Sequence, residues 1–365
     1  MHRDKLDRLD LEILEALGRY GPRNISRVAK KIELHPETFR KRFQRLQSLF
    51  SLHTGASIYH TNLGLKKAFV KCRATPGSGK QLWNCLKADG YWLYLSSCYG
   101  QSETYYAIYG IPIDHTTEFK EFLETIVDLQ ITERIDLDWS TCLHTINLTG
   151  NWFDSGPQTW IFPWQRWISE IPNEARNLPK TLVEPKHFPQ KADWIDVMIL
   201  KELEKNAMVT FRDIAKMLNE PANKIQYHFH RHVIGKDLLE GFHISLRHFG
   251  ESTVDMFCFT FNFHDQETLE RFASSLLDKP FMYGLGKAFG KDTLFAHAYF
   301  PRSEFRNFVD ALSRMISKGL LKSYRYVIED PQKRQRQTIS YEFFKDKSWI
   351  YDHNEHIKRL HELAI

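Results

Sequence analysis

At 365 residues the chain exceeds one ordinary hydrophobic core and predicts two to four domains, which its 42% apolar and 14% aromatic content can fill. No run of eighteen apolar residues occurs, and the opening MHRDKLDRLD is charged from its third residue, so neither a membrane span nor a signal peptide is expected and a soluble, cytoplasmic protein is. Its five cysteines (Cys72, Cys85, Cys98, Cys142, Cys258) include no CxxC pair, which argues for buried thiols over a disulfide framework or zinc ribbon, and the net charge of +5 means little until it is located.

Leu9, Ile13, Leu14 and Leu17 make a first helical stripe, ended by Gly18 and the turn residues Gly21 and Pro22. A second short helix turns Ile25, Val28, Ala29 and Ile32 inward. LHPET then forms a tight turn, with Pro36 in the first turn of a third helix, where its missing N–H costs nothing. In that helix, PETFRKRFQRL, the spacing of Phe39, Phe43 and Leu46 gives one narrow apolar stripe. Three such helices predict a helix-turn-helix. SLHTGASIYH, alternating about Thr54-Gly55, predicts a hairpin wing. Residues 19 to 45 carry nine Lys and Arg against two acids, so this region owns the positive field.

The run LDRLDLEILEAL, then ISRVAKKIELHPETFRKRFQRL, then a hairpin closed by Leu63-Gly64-Leu65, resembles the winged DNA-binding domain of the Lrp/AsnC (feast/famine) regulators. Downstream, KKAFVKCRAT reads as a strand, GKQLWNCLKA as a helix, YWLYLSSCY and TYYAIYGIP as a strand pair, TEFKEFLETIVDL as a helix and ERIDLDWSTCLHTI as a last strand, a βαββαβ unit.

Residues 192 to 233 restate the opening at an offset of 186: Asp10 with Asp196, Ile13 with Ile199, Val28 with Ile214, Ala29 with Ala215, Phe39 with Ile225, Phe43 with Phe229. VDMFCFTFNF through SYRYVIED repeats the βαββαβ order, and WIFPWQRWI and WIYDHNEHI end the two halves alike. The expected fold class is α+β, two tandem copies of a winged helix-turn-helix plus a ferredoxin-like βαββαβ domain. The divisions are 1–62 and 191–248 for the winged helices, 63–150 and 249–340 for the βαββαβ domains, 151–190 for a Trp/Pro-rich tail and linker, and 341–365 for a tail helix. A family member is normally one such half that dimerises, so the resemblance implies an intramolecular pseudo-dimer. A homodimer with exchanged halves satisfies the same sequence.

On a helical wheel centred on Phe39, Thr38, Lys41, Gln44 and Arg45 point away from the buried stripe, with Arg40 and Arg42 on the flanks. With Arg23 and Arg27 upstream, this set suits double-stranded DNA: long cations reach phosphates or guanine edges, and Thr and Gln contact bases. The second helix offers Asn223, Lys224, Tyr227, His230 and Arg231, with Gln226 on the flank, in a segment less basic than the first. His228 and His232 share a helix face as zinc ligands can, but no Cys, Asp or Glu lies nearby in the chain to complete a set. They are expected to be packing residues, and no metal or cofactor is expected. QKRQRQ (332–337) reads as a solvated turn, and most tryptophans read as core anchors.

The resemblance further implies a small-molecule effector, such as an amino acid, near the turns holding Gly100, Ser102, Gly290 and Asp292. Siroheme decarboxylases resemble the same paired architecture. Their histidine pair is lacking in GQSETYYAIYG and GKDTLFAHAYF, which hold His297 alone, and no nucleophile-and-base set, phosphate loop or zinc pattern appears elsewhere. The chain is therefore expected to be a transcription regulator and not an enzyme, with an architectural DNA-binding protein as the further alternative.

Overall fold

A computed structural model of the chain describes residues 5–100, 102–247, 249 and 253–364. Helix α1 (Arg8–Tyr20) starts with a capping box, in which the Asp7 side chain accepts from the Asp10 N–H and the Asp10 side chain accepts from the Asp7 N–H. Helices α2 (Ile25–Lys31) and α3 (Pro36–Phe50) follow, capped by Asn24 and His35. Phe39, Phe43 and Leu46 are buried against Ile13, Leu14, Leu17 and Val28, as the stripes require. After strand β1 (His53–Ile58) come β2 (Leu65–Ala74), α4 (Gly79–Cys85), β3 (Trp92–Tyr99), β4 (Thr104–Pro112), α5 (Thr116–Asp128), β5 (Thr132–Ser140) and the short β6 (His144–Thr145). A small hairpin, β7 (Phe153–Asp154) with β8 (Thr159–Trp160), leads into the tail helix α6 (Trp164–Glu170).

The second half repeats the order: α7 (Trp194–Lys205), α8 (Phe211–Leu218), α9 (Ala222–Tyr227), β9 (Leu239–Ser245), β10 (Val254–Asn262), α10 (Gln266–Leu276), β11 (Met282–Lys287), β12 (Thr293–Pro301), α11 (Arg302–Ser317) and β13 (Ser323–Arg336). A hairpin, β14 (Phe344–Lys345) with β15 (Ser348–Trp349), again precedes a tail helix, α12 (His353–Ala364). The α7 capping box is built by Asp193 and Asp196. Past α9 the helix continues as a π-helical segment, His228–Ile234, which inserts one residue relative to α3. Val233, fully buried, thus fills the place of Leu46, and His232 is only partly buried.

Strand β1 is one unbroken strand, so the expected hairpin wing does not form. Thr54 and Gly55 pair with Ile244 and His243 of β9, the equivalent strand of the other half. The wing residues find a better partner there because β1 also packs on α7 and β9 on α1, crossing the two helix-turn-helix units. Both βαββαβ units have their strands in the order 4-1-3-2. They join through β3 and β13 into a nine-stranded sheet, β5-β2-β4-β3-β13-β10-β12-β11-β6. QKRQRQ lies largely in this joint: Arg334, Gln335 and Arg336 pair with Ser96, Leu95 and Tyr94, which corrects the reading of a solvated turn.

The sheet curls until its ends meet, with Ser140 bridged to Ala288, so the two halves of the sheet face each other. Every residue of β4 is buried, because helices cover one face and the opposing strands the other. The tails cross over. Helix α6 of the first half packs on α11, with the Trp167 indole donating to Ser275. Helix α12 of the second half packs on α4 and α5, and the Trp349 indole donates to the Leu63 carbonyl. Among the described residues, no helix is long and apolar enough to cross a membrane.

Candidate functional site

The outer surface of the first helix-turn-helix is smaller than the sequence suggests. Arg27, Thr38, Arg40, Lys41 and Gln44 are exposed, Arg40 in an i,i+3 pair with Glu37. Lys30 and Lys31 extend the same basic surface. Arg42 and Arg45 instead reach back to α1. Arg42 contacts Asp7 and, at 3.0 Å, Asp10; Arg45 lies 2.7 Å from Asp10, whose side chain is 0% exposed. Burial raises the pKa of Asp7, but the Arg42 hydrogen bond and the nearby guanidinium charges outweigh it and hold the carboxyl below its usual range. Arg23 is also diverted: its guanidinium lies 4.2 Å from the Phe211 ring and 4.9 Å from that of Phe229, and donates to the Ala207 carbonyl at 3.2 Å. It fastens the two helix-turn-helix units together.

On the second unit Asn223, Lys224, Gln226, Tyr227, His230 and Arg231 are all exposed, and Lys224 pairs with Glu220 at 2.9 Å. Each α7 or α1 capping acid pair holds side chains of its recognition helix. Where the first half uses Arg42 and Arg45, the second uses His228 and His232.

A second cluster lies where the curled sheet closes on itself. Alternation along the strands turns Phe69, Tyr94, Tyr106, Cys258, His297 and Glu329 into the space between the two halves. Phe69 stacks on Phe295 with ring centroids 4.6 Å apart, and the Tyr106 hydroxyl is 3.0 Å from His297 Nε2. Glu329 accepts from the Tyr94 hydroxyl and from Cys258 Sγ, the latter at 2.7 Å. Burial dominates the electrostatics. It pushes His297 down to about 3, raises Glu329 against the pull of its Cys258 and Tyr94 hydrogen bonds, and drives the Cys258 thiol and the Tyr106 and Tyr283 hydroxyls well up. The cluster is a buried network of proton donors and acceptors, the kind of setting in which perturbed groups accompany function. Sequence reading dismissed His297 as isolated. It bonds Tyr106 and lies beside Cys258 and Glu329, and the available signal was polar residues at inward strand positions.

The turn residues are not among that cluster's side chains. Gly100 is exposed after β3, and the Ser102 carbonyl accepts from the Thr104 hydroxyl. Gly290, at φ 65°, donates its N–H to Glu184 at 3.1 Å, and the Asp292 carbonyl accepts from Phe263. Glu184 also pairs with Lys287, so the linker's own carboxylate occupies this turn.

The AsnC-type helix-turn-helix domain family matches residues 6–47. No curated protein matches the chain. The crystal structure of the siroheme decarboxylase NirDL is similar over 96% of this chain and 97% of its own, at 11% identity and a TM-score of 0.53, and so is that enzyme's co-complex with an iron-uroporphyrin III analogue. A transcriptional regulator from Neisseria meningitidis in complex with L-Met is 18% identical over 37% of this chain and 88% of its own, with a TM-score of 0.31. The expectation that the chain is not an enzyme is thereby corrected: the fold along nearly the whole length is one that an enzyme uses, a likeness of architecture that the lack of the histidine pair had set aside. Residues 6–47 are an AsnC-type helix-turn-helix domain, the first part of a duplicated chain whose overall fold is similar to that of a siroheme decarboxylase.

Proposed function

We propose that the chain is a sequence-specific DNA-binding transcription regulator that docks the open face of its first helix-turn-helix on a duplex. The observation that carries this reading is the exposed set Arg27, Lys30, Lys31, Thr38, Arg40, Lys41 and Gln44, a basic surface with two base-reading side chains, left open while Arg42 and Arg45 brace the helix. Arg23, joining the two units, fixes the second recognition surface relative to the first. Because the two surfaces differ, the preferred site is asymmetric. A small effector such as an amino acid, binding at the Gly290 turn, has to displace Glu184.

The test is recovery of genomic DNA on the intact chain, followed by gel shifts of the enriched fragments at two salt concentrations. The reading expects discrete fragments whose binding weakens steeply with salt. Failure to enrich any fragment over bulk DNA contradicts it.

A second reading, decarboxylation of a siroheme-like tetrapyrrole, is favoured by the full-length likeness together with the Tyr94, Tyr106, His297 and Glu329 cluster. In it, Glu329 or Tyr106 would hold the proton that replaces the lost carboxylate. Titration with siroheme supports this if the absorption spectrum shifts and the product loses carboxylate mass. An unchanged spectrum removes it.

A further inference from the structure

We infer that Asp193, Asp196, His228 and His232 form a binding site for a divalent metal of the zinc class, which clamps the second recognition helix to α7. The four offer ligand atoms that all lie within 4.8 Å of one another. His228 Nδ1 is 2.8 Å from Asp196 Oδ1 and 3.5 Å from Asp193 Oδ1; His232 Nδ1 is 3.1 Å from Asp196 Oδ2 and 3.5 Å from Asp193 Oδ2. A tetrahedral zinc with bonds near 2.0–2.1 Å sets its ligand atoms about 3.3 Å apart, so the cluster already has the edges of such a site.

The capping box uses Asp193 Oδ1 and Asp196 Oδ2 for backbone N–H groups. Asp196 Oδ1 is hydrogen-bonded to the two imidazole Nδ1 atoms, the same atoms that would share the cation with it. The π-helical segment aims the pair: its extra residue gives His232 the place that Arg45 holds in α3, facing the capping acids, with the two imidazole centroids 4.5 Å apart.

Charge gives the second line of support. In the first half the equivalent carboxylates, Asp7 and Asp10, are neutralised by two arginines. Asp196 is equally buried, at 0% side-chain exposure, yet faces imidazoles, with the nearest lysine, Lys236, 4.0 Å away. A divalent cation held between the imidazoles would match the two carboxylates as the arginines do in the first half, and imidazole with carboxylate is a donor set that suits zinc. The inference does not depend on DNA binding.

The test uses the full chain dialysed against chelator, then titrated with zinc by calorimetry and with cobalt by visible absorption. The expected result is one metal at this site, with cobalt bands of tetrahedral intensity. His232→Gln should weaken binding by at least the ~10–100-fold that loss of even an outer-shell partner costs. His228→Arg restores the cation that Arg42 provides in the first half; it should abolish metal binding while the protein stays folded. Absence of binding by the parent chain at micromolar zinc overturns the inference. So does binding that survives His228→Arg, or that is lost instead in Cys258→Ser, which would assign the metal to the cluster of Cys258, His297 and Glu329.

Discussion

Asp10 and Asp196 are the same residue in the two repeats, and their different partners carry much of the difference between the halves. Replacing Asp10 by Asn takes the buried carboxylate from Arg45 and leaves Arg42 with Asp7 alone, so a loss of about 3 kcal/mol is expected in denaturant unfolding. The depressed pKa of Asp7 gives the pH dependence its sign. Its contribution is present above the ordinary carboxylate range and is lost as pH falls through the lowered folded value. Asp89 acts in the opposite sense. Burial lifts it to about 8, against the pull of backbone hydrogen bonds, and its Oδ2 has no partner. Its stabilisation is complete below the unfolded value near 4 and disappears as pH rises through about 8. The wild-type melting temperature should therefore drop between pH 5 and 8 by more than that of Asp89→Asn; equal drops would refute the assignment. The apolar stripes were legible in the sequence because each is set by local spacing. The fate of Arg42 and Arg45 was not, since their partners lie some 35 residues away on another helix.

Among the elements, the two βαββαβ units were legible strand by strand, because alternation and turn residues are local signals. The unbroken β1 was misread as a hairpin. Thr54-Gly55 looks like a turn until β9 offers a partner strand, and no local pattern announces that partner. The strand through QKRQRQ was missed for a related reason: it lacks apolar alternation, and its pairing with β3 joins one half to the other. Crossed tails make a test at this scale. Leu360, fully buried on α12, should cost about 2–5 kcal/mol when changed to Ala. Hydrogen exchange should then rise in α4 and α5, the first-half helices on which α12 rests, and not in α10 and α11. The reverse pattern would contradict the exchange of tails.

For the molecule as a whole, the constant offset of 186 made duplication plain. It did not disclose that the halves interlock through β1 with β9, β3 with β13 and both tails. With those surfaces paired internally, sedimentation should give a monomer of 43.2 kDa; a stable dimer would mean that the halves are exchanged between chains. The division of the basic helix into open and braced cations bears on the whole account of function. The most direct measurement is fluorescence anisotropy of an enriched duplex against salt for Lys41→Ala and Arg42→Ala, with melting curves of both proteins. Lys41→Ala should weaken binding, lower the salt slope by about one and leave the melting temperature unchanged, whereas Arg42→Ala should chiefly lower the melting temperature. Unaltered affinity and slope in Lys41→Ala would contradict the claim that this face meets DNA.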